Sequence, residues 1–361
     1  MDFSHYLQII ILGIVEGVTE FLPISSTGHL LIAEALMGVH QPDVFNVVIQ
    51  SGAILAVVFI YWSKIIGLVT SLDKRTSRNY VFKIILAFLV TGVIGIVLTH
   101  KFHLKLPETL APVAWATLIG GFVILGIEYL AKHLYPHENV SWFDAILIGL
   151  GQILAGIFPG TSRSGATIMT GLAMGMKRTT ATEFSFMLGI PTMFAAGALD
   201  MWKYRKELTS GDHQLLIDTA VGFVVSAVVA FFVVKWLLRF VQSHTFNGFA
   251  YYRILLGAGL LVAIYLYPSL ATIGKEAESA HNIDQLHFEV GSPVPASVKK
   301  GVFISQPIEA STNSDVVLTP GTVDKPVFNL RQVSTNAAPA LTPPPDTAPA
   351  PLEVPPKPTT D

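Results

Sequence analysis

Two stretches decide the fold: residues 16–38, EGVTEFLPISSTGHLLIAEALMG, and residues 152–175, QILAGIFPGTSRSGATIMTGLAMG. Each is apolar at both ends and interrupted by a cluster of Pro, Gly, Ser and Thr. Pro and Gly stop helices, and Ser and Thr start them. Each stretch therefore reads as helix, loop, helix. The halves are too short to cross a bilayer, which takes about 20 apolar residues. The wider segments 5–37 and 143–175 are thus expected to dip into the membrane and return. A constant offset of 136 sets Glu16 against Gln152, Pro23 against Pro159, Ser25 against Thr161 and Ser26 against Ser162. An apolar span follows each, beginning FNVVIQSG at Phe45 and FSFMLGIP at Phe184.

Around these segments lie six stretches long enough to cross a bilayer, near 44–62, 80–99, 111–130, 184–201, 216–238 and 250–267. Charged residues make up 13% of the chain, against about 25% in soluble proteins, and the deficit points to lipid. Residues 1–12 lack the basic start of a cleaved signal peptide, and are expected to belong to the mature protein. No cysteine is present, so disulfide and thiol chemistry are excluded. A net charge of −2 offers no field for nucleic acid.

With six crossings, Lys64, Lys74, Arg75, Arg78, Lys132, Lys177, Arg178, Lys235 and Arg239 fall on one side, which the positive-inside rule makes cytoplasmic. Lys101, Lys105, Lys203, Arg205 and Lys206 fall on the other. The first broken segment then enters from outside and the second from the cytoplasm. The expected fold is an all-α integral membrane protein. It has six transmembrane helices and two re-entrant helical hairpins, arranged as an inverted repeat over about 5–130 and 143–267. Such repeats bring broken helices together near the midplane, with half-helix N-termini aimed at anions. The membrane domain is expected over 1–267. Residues 268–361 hold 15 of the 22 prolines and end in TPPPDTAPAPLEVPPKPTTD. They read as a largely disordered tail outside the cytoplasm, because they cannot bury enough apolar surface to offset their ordering entropy. A small β module between 286 and 330 is the minority reading.

Glu16 and Glu20 are four apart and share a helix face. Acids in an apolar segment are costly and normally face a polar cavity. A divalent cation, magnesium or calcium, is their natural partner; the plain alternative is a helix cap or an ion pair with a basic residue. Ser25, Ser26, Thr27 and His29 surround the start of the next helix, whose free amides suit an anion. Ser26 and His29 are three apart and can pair as nucleophile and base, although a lone SxxH is more often a capping motif. Gly160, Ser162, Arg163, Ser164 and Thr167 supply a cation and hydroxyls within one turn. Arg presents a planar fork that matches phosphate oxygens. Burying it requires an anion, and an ion pair with Glu16 or Glu20 is the plain alternative. Asn46, Gln50, Gln152 and Ser185 are candidates to line the same cavity. Glu128, Glu183 and Asp200 read as solvated or capping residues.

EGVTEFLPISSTGH and PGTSRSGAT, at this spacing, resemble the undecaprenyl-diphosphate phosphatase family, also called bacitracin-resistance proteins. The resemblance covers roughly 5–267 and does not extend to the tail. It implies a bacterial inner-membrane enzyme that converts undecaprenyl diphosphate to the monophosphate, recycling a carrier for cell-wall polymers, with its site open to the periplasm. The family's (E/Q)xxxE motif falls on Glu16 and Glu20, and its essential Ser and His on Ser26 and His29. Its PGxSRSxxT motif falls on Pro159, Gly160, Ser162, Arg163, Ser164 and Thr167. Glu20, Ser26, His29 and Arg163 are then the expected catalytic residues, and Glu16 and Glu20 the expected metal ligands. Ser25, Thr27, Gly160, Ser162, Ser164 and Thr167 would bind the polyprenyl diphosphate. Ser26 is the expected nucleophile and His29 the alternative. A phosphatidate-phosphatase reading needs a second His six residues after the SR arginine, where this chain has Met169. A lipid-phosphate flippase is the non-enzymatic alternative, since inverted repeats with broken helices also build transporters. The chain's oligomeric state is open, and a homodimer is compatible with it.

Overall fold

The structure is a computed structural model that describes residues 3–98, 109–203, 205 and 213–274. All of them belong to one of two units into which the chain divides, Met1–Val294. Nearly all of the tail expected after 268 lies outside the described residues. Among the described residues there are helices and no strand. The order is α1 (Phe3–Thr19), α2 (Ser26–Met37), α3 (Asp43–Ile60), α4 (Trp62–Thr70), α5 (Arg75–Ile96) and α6 (Leu110–Ala131). Then come α7 (Trp142–Ile157), α8 (Arg163–Ala173), α9 (Arg178–Lys203), α10 (His213–Ser243) and α11 (Asn247–Leu266), followed by a 3₁₀ turn at Pro268–Thr272.

Helices α3, α5, α6, α9, α10 and α11 are long and apolar enough to cross a membrane. They match the six expected spans, and they mark a multi-pass membrane protein. Their outer faces carry large exposed apolar side chains, such as Phe59, Phe122, Phe232 and Leu255. In water these would be a liability; in lipid they are solvated. The short α4, which has no buried residue, was not expected from the sequence.

Lipid provides little hydrophobic drive between helices, so close approach relies on small residues. Gly13 and Gly17 of α1 lie against Gly222 and Ser226 of α10, where an added Cβ would come within 2.9 Å and 2.7 Å of backbone oxygens. Gly121 of α6 and Gly257 of α11 seat that pair in the same way. These contacts pack α1 against α10 and α6 against α11.

Polar pairs tie down the cytoplasmic side expected from the charge pattern. Glu128 is not solvated: it is buried, takes a two-pronged bond from Arg178, and accepts the Phe246 amide at 2.8 Å. A carboxylate at a span end can be drawn inward when a guanidinium and an amide both reach it. Glu183 pairs with Lys64. The loop before α7 is pinned to the turn after α8 by hydrogen bonds between His137 and its neighbours Gly175 and Lys177.

Candidate active site

Both interrupted pairs use one local device. After α1 the chain turns through residues 20–25, and α2 starts at Ser26 with Ser25 as its N-cap. The Ser25 hydroxyl accepts from the Gly28 amide at 3.3 Å. After α7 the chain turns through 158–162, and α8 starts at Arg163 with Ser162 as its N-cap. The Ser162 hydroxyl accepts from the Gly165 amide at 3.1 Å. Among the described residues Ser25 and Ser162 are the non-glycine residues with positive φ, at 77° and 71°. Such a conformation costs about 1–3 kcal/mol and persists only where the surroundings hold it.

The caps correct the sequence register. The offset is 136 at the prolines but 137 at the caps, so Ser25 matches Ser162 and Ser26 matches Arg163. The second loop carries one extra residue, Gly160, whose φ of 94° suits glycine. A Cβ there would come within 2.8 Å of the Val113 backbone.

The two loops meet. Glu20 Oε2 accepts the Ser26 hydroxyl at 2.6 Å, and Glu20 Oε1 accepts Arg163 Nη2 at 3.0 Å. One carboxylate thus joins the first residues of α2 and α8. Arg163 Nη2 also lies beside the Met193 sulfur, and its guanidinium sits over the Phe21 ring, 5.7 Å from the centroid. The Ser164 hydroxyl donates to Leu22 O at 3.1 Å, and Ser162 donates to the same carbonyl at 3.3 Å. Thr167 bonds to the Arg163 carbonyl and to Ser185, backing α8 onto α9. Thr27 is half-buried in the first turn of α2. Gln152 instead donates to Thr91, away from the Glu20 network.

His29 does not pair with Ser26. Its Nδ1 is 2.7 Å from the Ser25 carbonyl, which requires a proton on Nδ1 and leaves Nε2 as the acceptor. Nε2 then takes the Tyr252 hydroxyl of α11 at 2.6 Å, and the two rings stack. Tyr252 lies 223 residues away from His29, and nothing in its local sequence singles it out.

Both carboxylate oxygens of Glu16 and Nη1 of Arg163 are buried without a hydrogen-bond partner among the described residues. An unpartnered acid in an apolar helix fits a cation ligand. No group of three or more His, Cys, Asp or Glu that could hold a metal occurs among the described residues.

The arrangement defines a helical membrane protein with a serine hydroxyl, a carboxylate and a guanidinium brought together by two helix breaks. The sequence places it further. Residues 9–259 match the family described as bacitracin resistance protein BacA, and the chain belongs to that family. It is 50% identical over 259 residues to a protein of Rhizobium leguminosarum bv. trifolii named undecaprenyl-diphosphatase, covering 71% of this chain and 96% of that protein. A protein of the same name from Xylella fastidiosa is 51% identical over 256 residues, covering 70% and 96%. Another from Xanthomonas axonopodis pv. citri is 49% identical over 260 residues, covering 72% and 97%.

Proposed function

We propose that this chain is a phosphatase that hydrolyses undecaprenyl diphosphate to undecaprenyl phosphate and inorganic phosphate. On this reading it works in the bacterial inner membrane and recycles the lipid carrier for cell-wall synthesis. The observation that carries it is the bond from the Ser26 hydroxyl to Glu20, which also holds Arg163, inside a family whose relatives are named for this reaction. The relatives' names give no support to the flippase alternative, and transport alone needs no nucleophile.

In this mechanism Arg163 and the amides at the starts of α2 and α8 bind the diphosphate oxygens. The Ser26 oxygen attacks the terminal phosphorus, and its proton passes to Glu20. The bond from that phosphorus to the bridging oxygen breaks, and undecaprenyl phosphate leaves. Water then attacks the phosphoserine, restoring the hydroxyl and releasing phosphate. His29, whose Nε2 lone pair accepts the Tyr252 hydroxyl, would take the proton of that water once Tyr252 turns aside. Magnesium or calcium held by Glu16 and Glu20 would supply charge neutralisation on the phosphate oxygens. Positioning and charge provide most of the rate in phosphoryl transfer.

The matched serine caps and the charge bias of the loops support two re-entrant hairpins in an inverted repeat, with the site facing the periplasm. The test uses purified full-length protein with undecaprenyl diphosphate and magnesium or calcium. Phosphate release is expected, and rapid quenching followed by peptide mass spectrometry should find phosphate on Ser26. Absence of release would overturn the assignment; phosphate on His29 would overturn the role given to Ser26.

A further inference from the structure

Arg253 stands in the second turn of α11, in a span with no other charged residue, and it is 1% exposed. A guanidinium at such depth usually faces a carboxylate. Here, among the described residues, it faces none. All five of its N–H groups go to backbone carbonyls. Nε donates to Thr117 O at 3.2 Å, and Nη2 to Ala116 O at 2.9 Å and Gly160 O at 3.1 Å. Nη1 donates to Pro23 O at 3.1 Å and Thr161 O at 3.0 Å. Pro23 belongs to the first helix break, Gly160 and Thr161 to the second, and Ala116 and Thr117 to α6. Gly120 of α6 makes room for the group, since a Cβ there would come within 2.1 Å of Nη2.

We infer that Arg253 is a positioning residue for the reaction: it sets the spacing between the Ser26 loop and the Arg163 loop. The inference rests on the proposed phosphatase reading. One rigid planar cation reads three loop carbonyls and two helix carbonyls at once, so its fork geometry, and not its charge alone, fixes the register of the two loops. None of the three loop carbonyls accepts a backbone N–H among the described residues, so the guanidinium is what satisfies them. The carbonyls of Pro23, Gly160 and Thr161 are drawn toward α11. Ser26 and Arg163, which start the two helices a few residues further on, are held facing Glu20.

Lysine keeps the charge but offers three N–H groups from one point. Arg253→Lys is therefore expected to lower kcat about 100-fold, the scale on which a misplacement of about 1 Å acts, with KM changed less than about threefold. Turnover is measured on the monodisperse fraction only. A merely structural role would reduce the yield and Tm yet leave turnover per folded molecule at the wild-type value, and that result would overturn the inference. Gly120→Ala tests the same geometry with the arginine intact. The three atoms nearest its new methyl all belong to the Arg253 guanidinium, so the side chain's flexible end is what gives way; the same kcat-selective loss is expected. Gly126→Ala, on the same helix with nothing within 4 Å, is the control and should turn over as wild type. Normal kcat in Gly120→Ala would sink the inference even if Arg253→Lys does not fold. Release by wild type tests the phosphatase reading separately, so the two failures are distinguishable.

Discussion

The two helix breaks share a backbone and divide the chemistry. Each turns after a proline, caps its second helix with a left-handed serine, and bonds that serine to the glycine amide three residues on. The residue after the cap then differs: Ser26, a hydroxyl, in the first, and Arg163, a cation, in the second. The preceding helices differ in the same way. Glu16 faces Gln152 and Glu20 faces Gly156 at an offset of 136. The first break thus holds the acids and the second the positive charge. Opposite charges on separate segments attract across the interface and hold the segments together.

The comparison can be broken at its strongest link. Glu20→Gln keeps the shape of the side chain but removes the proton acceptor for Ser26 and the anion for Arg163. Phosphate release should fall about 10²- to 10⁴-fold, the usual range for loss of a positioned base. A loss under tenfold would show that the carboxylate serves only as a structural tie. Arg163→Lys asks whether the second break supplies charge or shape. Lysine cannot grip two phosphate oxygens with a planar fork. A fall of about 100-fold in kcat/KM is expected, and near-normal kcat/KM would reduce the second break to a point charge. Glu16→Gln is the mildest change, because it installs in the first half the residue that the second half already has. It should raise the magnesium needed for half-maximal release by about tenfold. In chelator, Tm should rise slightly, since a buried carboxylate without a partner is removed. An unchanged magnesium requirement would take Glu16 out of the cation site.

Much of this was legible in the sequence. Hydropathy located six spans, because a helix in lipid must be apolar over its whole length. The breaks were legible from Pro23, Pro159 and the Ser/Thr clusters beside them. Arg163 next to Glu20 was foreseen, since a guanidinium in an apolar hairpin needs an anion. The register was misjudged by one at the caps because Gly160, an inserted residue with positive φ, leaves no trace in a gapless alignment. The partner of His29 was not legible at all: a three-residue spacing suggests Ser26, whereas the ring turns to α11, a contact set by tertiary packing. Arg253 carried a readable signal, a lone charge within an apolar span, but its carbonyl shell exists only after the two loops and α6 converge.

The second helix of each interrupted pair has nearly the same length, 12 residues in α2 and 11 in α8. At about 1.5 Å per residue they measure roughly 18 Å and 17 Å, a little over half of a hydrocarbon core about 30 Å thick. If each begins at its own break and runs back to the face it entered from, these helices act as rulers that set the depth of the chemistry. The charged head of the lipid then has to sink well below the headgroup plane to be cut, while its isoprenoid chain stays at a depth it already prefers.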